Sequence, residues 1–163
     1  MGRLDKYSEG LLLLTDDGAF ANLLTHPSGG VGKLYRVTVR PRATEEQVVQ
    51  MASGVVLDDG VKTRPAVIHV VTDEPGRTVM EITLHEGRNR QIRRMCEAVG
   101  LEVIRLKRTA EGPVKLGMLQ PGEYREVKRS EVTALRNAAL KAGPARKAPE
   151  NPAPRPGPIR RDR

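Results

Sequence analysis

The sequence predicts an α+β fold, a mainly antiparallel mixed sheet flanked by helices. Residues 33–40, 66–72 and 79–84 alternate polar and apolar side chains with the two-residue period of strands. Ile92, Met95, Cys96 and Val99 recur instead at i, i+3, i+4 and i+7, the buried stripe of a helix. Helix-capping residues precede two more apolar repeats, so strands and helices share one chain of 163 residues, the length of a single domain with a tail. The expected division is a folded unit over residues 1–142 and a tail over residues 143–163.

The first element is the run Leu11, Leu12, Leu13, Leu14, too short for an amphipathic helix and too apolar for a half-exposed strand. It predicts a strand over residues 10–15, buried on both faces. Asp16, Asp17 and Gly18 offer N-cap chemistry to a helix over residues 19–25, whose Phe20, Leu23 and Leu24 repeat at helical spacing and which Pro27, Gly29 and Gly30 end. On the strand over residues 33–40, Tyr35 shares a face with Lys33, Val37 and Val39. Thr44 caps a helix that runs to about Ser53, with Glu45 and Glu46 complementing the dipole at its start. Asp58, Asp59 and Gly60 turn a hairpin between residues 55–57 and 61–63. Two strands then join across Pro75 and Gly76, giving an antiparallel meander. The arginine-rich helix over residues 86–100 stops at Gly100. A strand over 101–108, a loop broken by Pro113, Gly117, Pro121 and Gly122, a short strand over 124–127 and a helix over 130–142 complete the chain.

The formal net charge is +8 and the pI near 10.1. Residues 86–108 hold seven basic and three acidic side chains, and residues 141–163 seven basic and two acidic. Positive charge clustered in this way is the footprint of a phosphate-backbone partner. Six of the twelve prolines lie between Pro144 and Pro158 with no apolar stripe, which predicts a disordered basic tail able to tether RNA. The single cysteine, Cys96, excludes an internal disulfide and a thiolate metal cluster. His26, His69 and His85 are too scattered for a metal site, so no metal and no cofactor is expected. With no apolar window of about 18 residues and no signal-peptide pattern, the expectation is a soluble cytoplasmic protein with no membrane partner.

Two stretches carry candidate chemistry. Asp5 stands between Arg3 and Lys6, just before the leucine run. Cations within about 4–6 Å keep a carboxylate ionised, and a loop fixed to a buried strand is a common place to display a reacting group. The second stretch is the arginine-rich helix, where Arg88 and Arg90 occupy a first turn whose dipole disfavours cations. Arginines and free backbone N–H groups converging on one helix start make an anion site, with a plain basic helix as the alternative. Arg93 falls at the border of that helix's buried stripe, between core and solvent.

GRLD at residues 2–5, SEGLLLLT at 8–15, KLY at 33–35, EGRNRQIRRM at 86–95 and VIRLKR at 103–108, in this order, resemble the ribosomal RNA pseudouridine synthases. The resemblance runs from Gly2 to about Glu131. It implies the pseudouridine synthase catalytic fold over residues 1–142 and the isomerisation of a uridine within RNA, without metal or cofactor. It implies that Asp5 is the catalytic aspartate, that Arg93 pairs with it, that Tyr35 stacks on the flipped base and that Leu106 packs under the reacting uridine. The expected RNA-binding set is Arg3, Lys33, Arg88, Arg90, Arg94 and Arg108. The partner implied is ribosomal RNA or an assembly intermediate, with the large subunit favoured because EGRNRQIRRM looks more like the large-subunit enzymes; a monomer is expected. Members of this branch carry an RNA-binding domain and an Asn-Lys-Pro segment before GRLD, so the resemblance implies that an N-terminal part of the fold is missing here. The second reading is therefore a catalytically inactive RNA-binding remnant or fragment.

Overall fold

A computed structural model describes residues 1–26 and 30–142. The helix stop assigned to Pro27 and Gly29, and the disordered tail expected over residues 143–163, lie outside the described residues.

The sheet is built from β1 (Glu9–Gly10), β2 (Lys33–Arg40), β3 (Val67–Glu74), β4 (Arg77–Leu84), β5 (Glu102–Glu111) and β6 (Val114–Lys115). Its order is β1-β5-β2-β4-β3, with β6 on β5. Only β1 runs parallel to its neighbour, so the sheet is mixed but mainly antiparallel. The expected simple meander gives way to a hairpin of β3 and β4 beside a β2 that is clasped between β4 and β5.

The four helices among the described residues are α1 (Gly18–Thr25), α2 (Glu45–Ser53), α3 (Gln91–Ala98) and α4 (Arg129–Ala142). Each of the first two starts where its sequence offers a cap. Asp17 accepts the Phe20 amide at 2.8 Å, and Thr44 and Gln47 form a reciprocal capping box. One aliphatic core unites Val37, Val39, Met80, Ile82 and Leu106 of the sheet with Met51 of α2 and Ile92, Met95 and Cys96 of α3. A second joins Leu11 and Leu13 to Phe20 and Leu24 of α1 and Leu135 and Ala139 of α4.

Three expectations need correction. The leucine run is not buried on both faces: Leu11 and Leu13 are buried, whereas Leu12 is 46% and Leu14 79% exposed. Only Glu9 and Gly10 pair, with Lys107 and Arg108, and the run continues as extended chain whose inward side chains alternate. The arginine-rich helix begins at Gln91 and not at residue 86, because Arg90 adopts a left-handed conformation (φ 48°, ψ 32°) that helical backbone cannot include. Residues 124–127 form no strand.

Candidate active site

Asp5 stands in a tight loop before β1. Its Oδ1 accepts the Tyr7 amide at 2.9 Å, and its backbone carbonyl accepts the Ser8 amide at 3.0 Å, so the carboxylate and main chain fold the loop around themselves. The Ser8 hydroxyl is buried, makes no well-formed hydrogen bond among the described residues, and lies beside the carboxylate closely enough to favour its ionised form. Arg93 comes from α3, 88 positions further on, and its Nε donates to Asp5 Oδ2 at 3.4 Å. The same guanidinium donates to the Tyr7 carbonyl at 2.8 Å and the Val103 carbonyl at 3.4 Å. Arg93 thus ties the Asp5 loop, α3 and β5 together through a fork that only arginine provides.

Burial works against ionisation of Asp5. Ser8, the Tyr7 amide and the Arg93 charge outweigh it and hold the carboxyl below its usual range. At neutral pH Asp5 is an oriented anion.

A cleft of about 640 Å³ opens in front of this carboxylate, lined by Arg3, Asp5, Lys6, Tyr35, Arg88, Arg90, Leu106 and neighbours. The structure therefore gathers Asp5, Tyr35 and Leu106 on one cavity, with Arg93 behind Asp5 and Arg3, Arg88 and Arg90 at the rim. The loop that carries Arg88 and Arg90 is tied down by hydrogen bonds. Gln91 caps it, accepting the Arg88 amide at 3.1 Å and donating to Glu86 at 2.6 Å, while Glu86 accepts the Arg64 amide at 2.9 Å.

Three residues of the expected RNA-binding set are placed elsewhere. Arg94 is held by Asp58 and Asp59 of the turn after α2, at 2.5 and 2.7 Å. Lys33 is largely buried, 3.9 Å from Glu111, and burial pushes its ammonium pKa down against the pull of that carboxylate. Arg108 is 2% exposed and cannot meet a phosphate backbone; its alternation partner on β5 is the core residue Leu106, which faces it inward. The cross-strand partner of Arg108 is Tyr35, and the guanidinium lies near enough to that phenol to favour the ionised form. Burial pushes the Tyr35 phenol above its ordinary range, and the Arg108 charge opposes that rise.

Sequence reasoning missed Ser8, Gln91, the Asp58–Asp59 clamp and Glu111. Ser8 follows Asp5 at a spacing typical of side-chain-to-backbone turns, a signal that could have been used. The clamp pairs residues some 36 positions apart, for which no local pattern exists.

A family model described as RNA pseudouridylate synthase matches residues 1–98. An uncharacterized RNA pseudouridine synthase of Aquifex aeolicus is 42% identical over 135 residues, covering 83% of this chain and 54% of that protein. Ribosomal large subunit pseudouridine synthase B of Bacillus subtilis is 43% identical over 141 residues, covering 85% of this chain and 57% of that protein. A crystal structure of a pseudouridylate synthase superposes with a TM-score of 0.77 at 36% identity, covering 82% of this chain and 57% of that one. The chain spans about half the length of the curated relatives it matches.

Proposed function

The chain belongs to the RNA pseudouridylate synthase family, and from that premise we propose that it isomerises a uridine of large-subunit ribosomal RNA to pseudouridine, with Asp5 as the reacting carboxylate. The observation that carries the reading is the meeting of an ionised Asp5, braced by Arg93, with Tyr35 and Leu106 on one cleft.

In this reading the target uridine leaves its stack and enters the cleft, at a cost of a few kcal/mol. Contacts of Arg3, Arg88 and Arg90 with flanking phosphates offset that cost. The Tyr35 ring offers a face for the base, a contact of roughly 1–3 kcal/mol, and Leu106 supplies an apolar floor. The bond from the sugar C1′ to N1 breaks, the base turns, and a bond from C1′ to C5 forms. The C5 proton leaves and N1 regains a proton, so substrate and product are isomers and no oxidant or reductant is consumed. Asp5 acts as nucleophile or base. Arg93 and the Tyr7 amide each occupy one of its oxygens and leave the remaining lone pairs for the substrate. The large-subunit assignment is supported by the name of the Bacillus subtilis relative and by the sequence of the arginine-rich stretch.

Tritium release from transcripts labelled at uridine C5 tests the proposal. Release from large-subunit transcript and none from small-subunit transcript is expected. Release from small-subunit RNA alone would move the substrate. RNA retained on filters without release from either transcript would make the chain a binding protein and overturn the catalytic reading.

A further inference from the structure

Behind the cleft wall the sheet buries more charge than packing requires. Lys33 and Tyr35 of β2 face Glu111 and Arg108 of β5 across the ladder, and residues directly opposite in an antiparallel pair share a face. Strict alternation would send residues 108 and 111 to opposite faces. A register shift between Leu34 and Tyr35 leaves Thr109 as the extra residue of a bulge, so both side chains turn to one side. Arg108 is 2% and Glu111 1% exposed. The Arg108 Nε donates to the Leu11 carbonyl at 2.8 Å, its Nη2 stands 4.0 Å from the Glu111 carboxylate, and Lys33 stands 3.9 Å from the other Glu111 oxygen. Among the described residues, Nη2 of Arg108 and Oε2 of Glu111 make no hydrogen bond. Apolar side chains of similar volume would hold such a strand pair at least as well.

We propose that Arg108, anchored by the Leu11 carbonyl and Glu111, is a positioning residue that fixes the Tyr35 phenol in the cleft, with Lys33 balancing Glu111. The inference rests on the reading of Tyr35 as the residue that meets the base. Arg108 stands opposite Tyr35 across the ladder, with its guanidinium near enough to favour the phenolate, and since arginine has donors only the phenol's own proton turns away from it. The ring then keeps one orientation before substrate arrives, which spares the entropy of ordering it on binding. Anchoring through Leu11 also links the phenol to the segment that follows Asp5.

The chain has no tryptophan and three tyrosines, and Tyr7 and Tyr124 are 68% and 91% exposed. In a Tyr7→Phe, Tyr124→Phe background, phenolate absorbance reads Tyr35 alone. Titration is expected to move to higher pH in Arg108→Met, where the cation is lost, to lower pH in Glu111→Gln, where the anion is lost, and to stay nearer the parent in Arg108→Lys. Opposite shifts of this kind are not a consequence of mere loosening. Where alkali unfolds the chain first, the Tyr35 ζ-carbon resonance at neutral pH serves, and it is expected to move in Arg108→Met. Unmoved titrations and resonances, or shifts of one sign in all variants, would overturn the proposal. Loss of the fold in Arg108→Lys would overturn it as well, because packing would then account for the residue. The titration needs no RNA, so its outcome is separate from whether the chain modifies uridine.

Discussion

Asp5 and Arg93 form a pair in which neither side chain is free to wander: the carboxylate folds its own loop, and the guanidinium also holds two backbone carbonyls. Because the Asp5 pKa is lowered in the fold, the pair contributes stability above the unfolded aspartate value of about 3.9, and loses it as pH falls through the lower folded value. Activity is expected to follow the same limb, holding to a lower pH than an ordinary carboxylate would allow; a rate that decays with a midpoint at or above the usual range would contradict this. Arg90 is the other residue under constraint, a non-glycine in left-handed conformation at the cleft rim. Such strain costs roughly 1–2 kcal/mol and clusters at functional sites. Arg90→Gly is therefore expected to raise the melting temperature by a few degrees, for a gain of about 1 kcal/mol, while weakening RNA retention on filters; a variant both more stable and equally tight would remove Arg90 from the interface. At this scale Asp5, Arg93, Tyr35 and Leu106 were legible because motifs carried them. Arg108 was not, since a basic residue on a strand gives no local sign of lying inside.

Among the elements, the junction of β1 with β5 anchors the chain just after the Asp5 loop. Gly10 has φ 109°, and a Cβ there would stand 2.2 Å from the Arg108 carbonyl oxygen. Gly10→Ala must push β1 off β5, and is expected to cost on the order of 2 kcal/mol or more, measurable by urea unfolding, with loss of activity ahead of loss of fold. A cost below about 0.5 kcal/mol would show that the junction does not hold the loop. The period-two strands were readable because alternation is local, and β2 spans the residues expected of it. The bulges that reset register in β2 and β5 were not readable, because an extra residue changes which side chains face inward without changing composition. The start of α3 is not set by the apolar pattern, for a related reason: apolar spacing marks the buried face, whereas the boundary is set by the backbone conformation of Arg90.

Across the whole molecule, the count of 28 lysines and arginines overstates what the folded face offers to RNA. Arg94 is neutralised by Asp58 and Asp59, and Arg108 and Lys33 are spent on Glu111. Asp58→Asn with Asp59→Asn frees Arg94, so RNA affinity should rise and the dependence on log salt should steepen by about 0.7–0.9 of a unit per added phosphate contact; an unchanged slope would mean that Arg94 does not face RNA even when released. The mainly antiparallel sheet with flanking helices follows from the sequence pattern, but the convergence of residues 5, 35, 93 and 106 depends on the β1-β5-β2 order, which no local pattern encodes. The proposed role of Asp5 in the cleft this topology builds is put to the test by single-turnover tritium release from large-subunit transcript with the parent chain and with Asp5→Asn, which keeps the shape and removes the charge. Loss of release by at least about three orders of magnitude, with RNA binding retained, is the predicted result; release by Asp5→Asn at a rate near that of the parent would contradict the account.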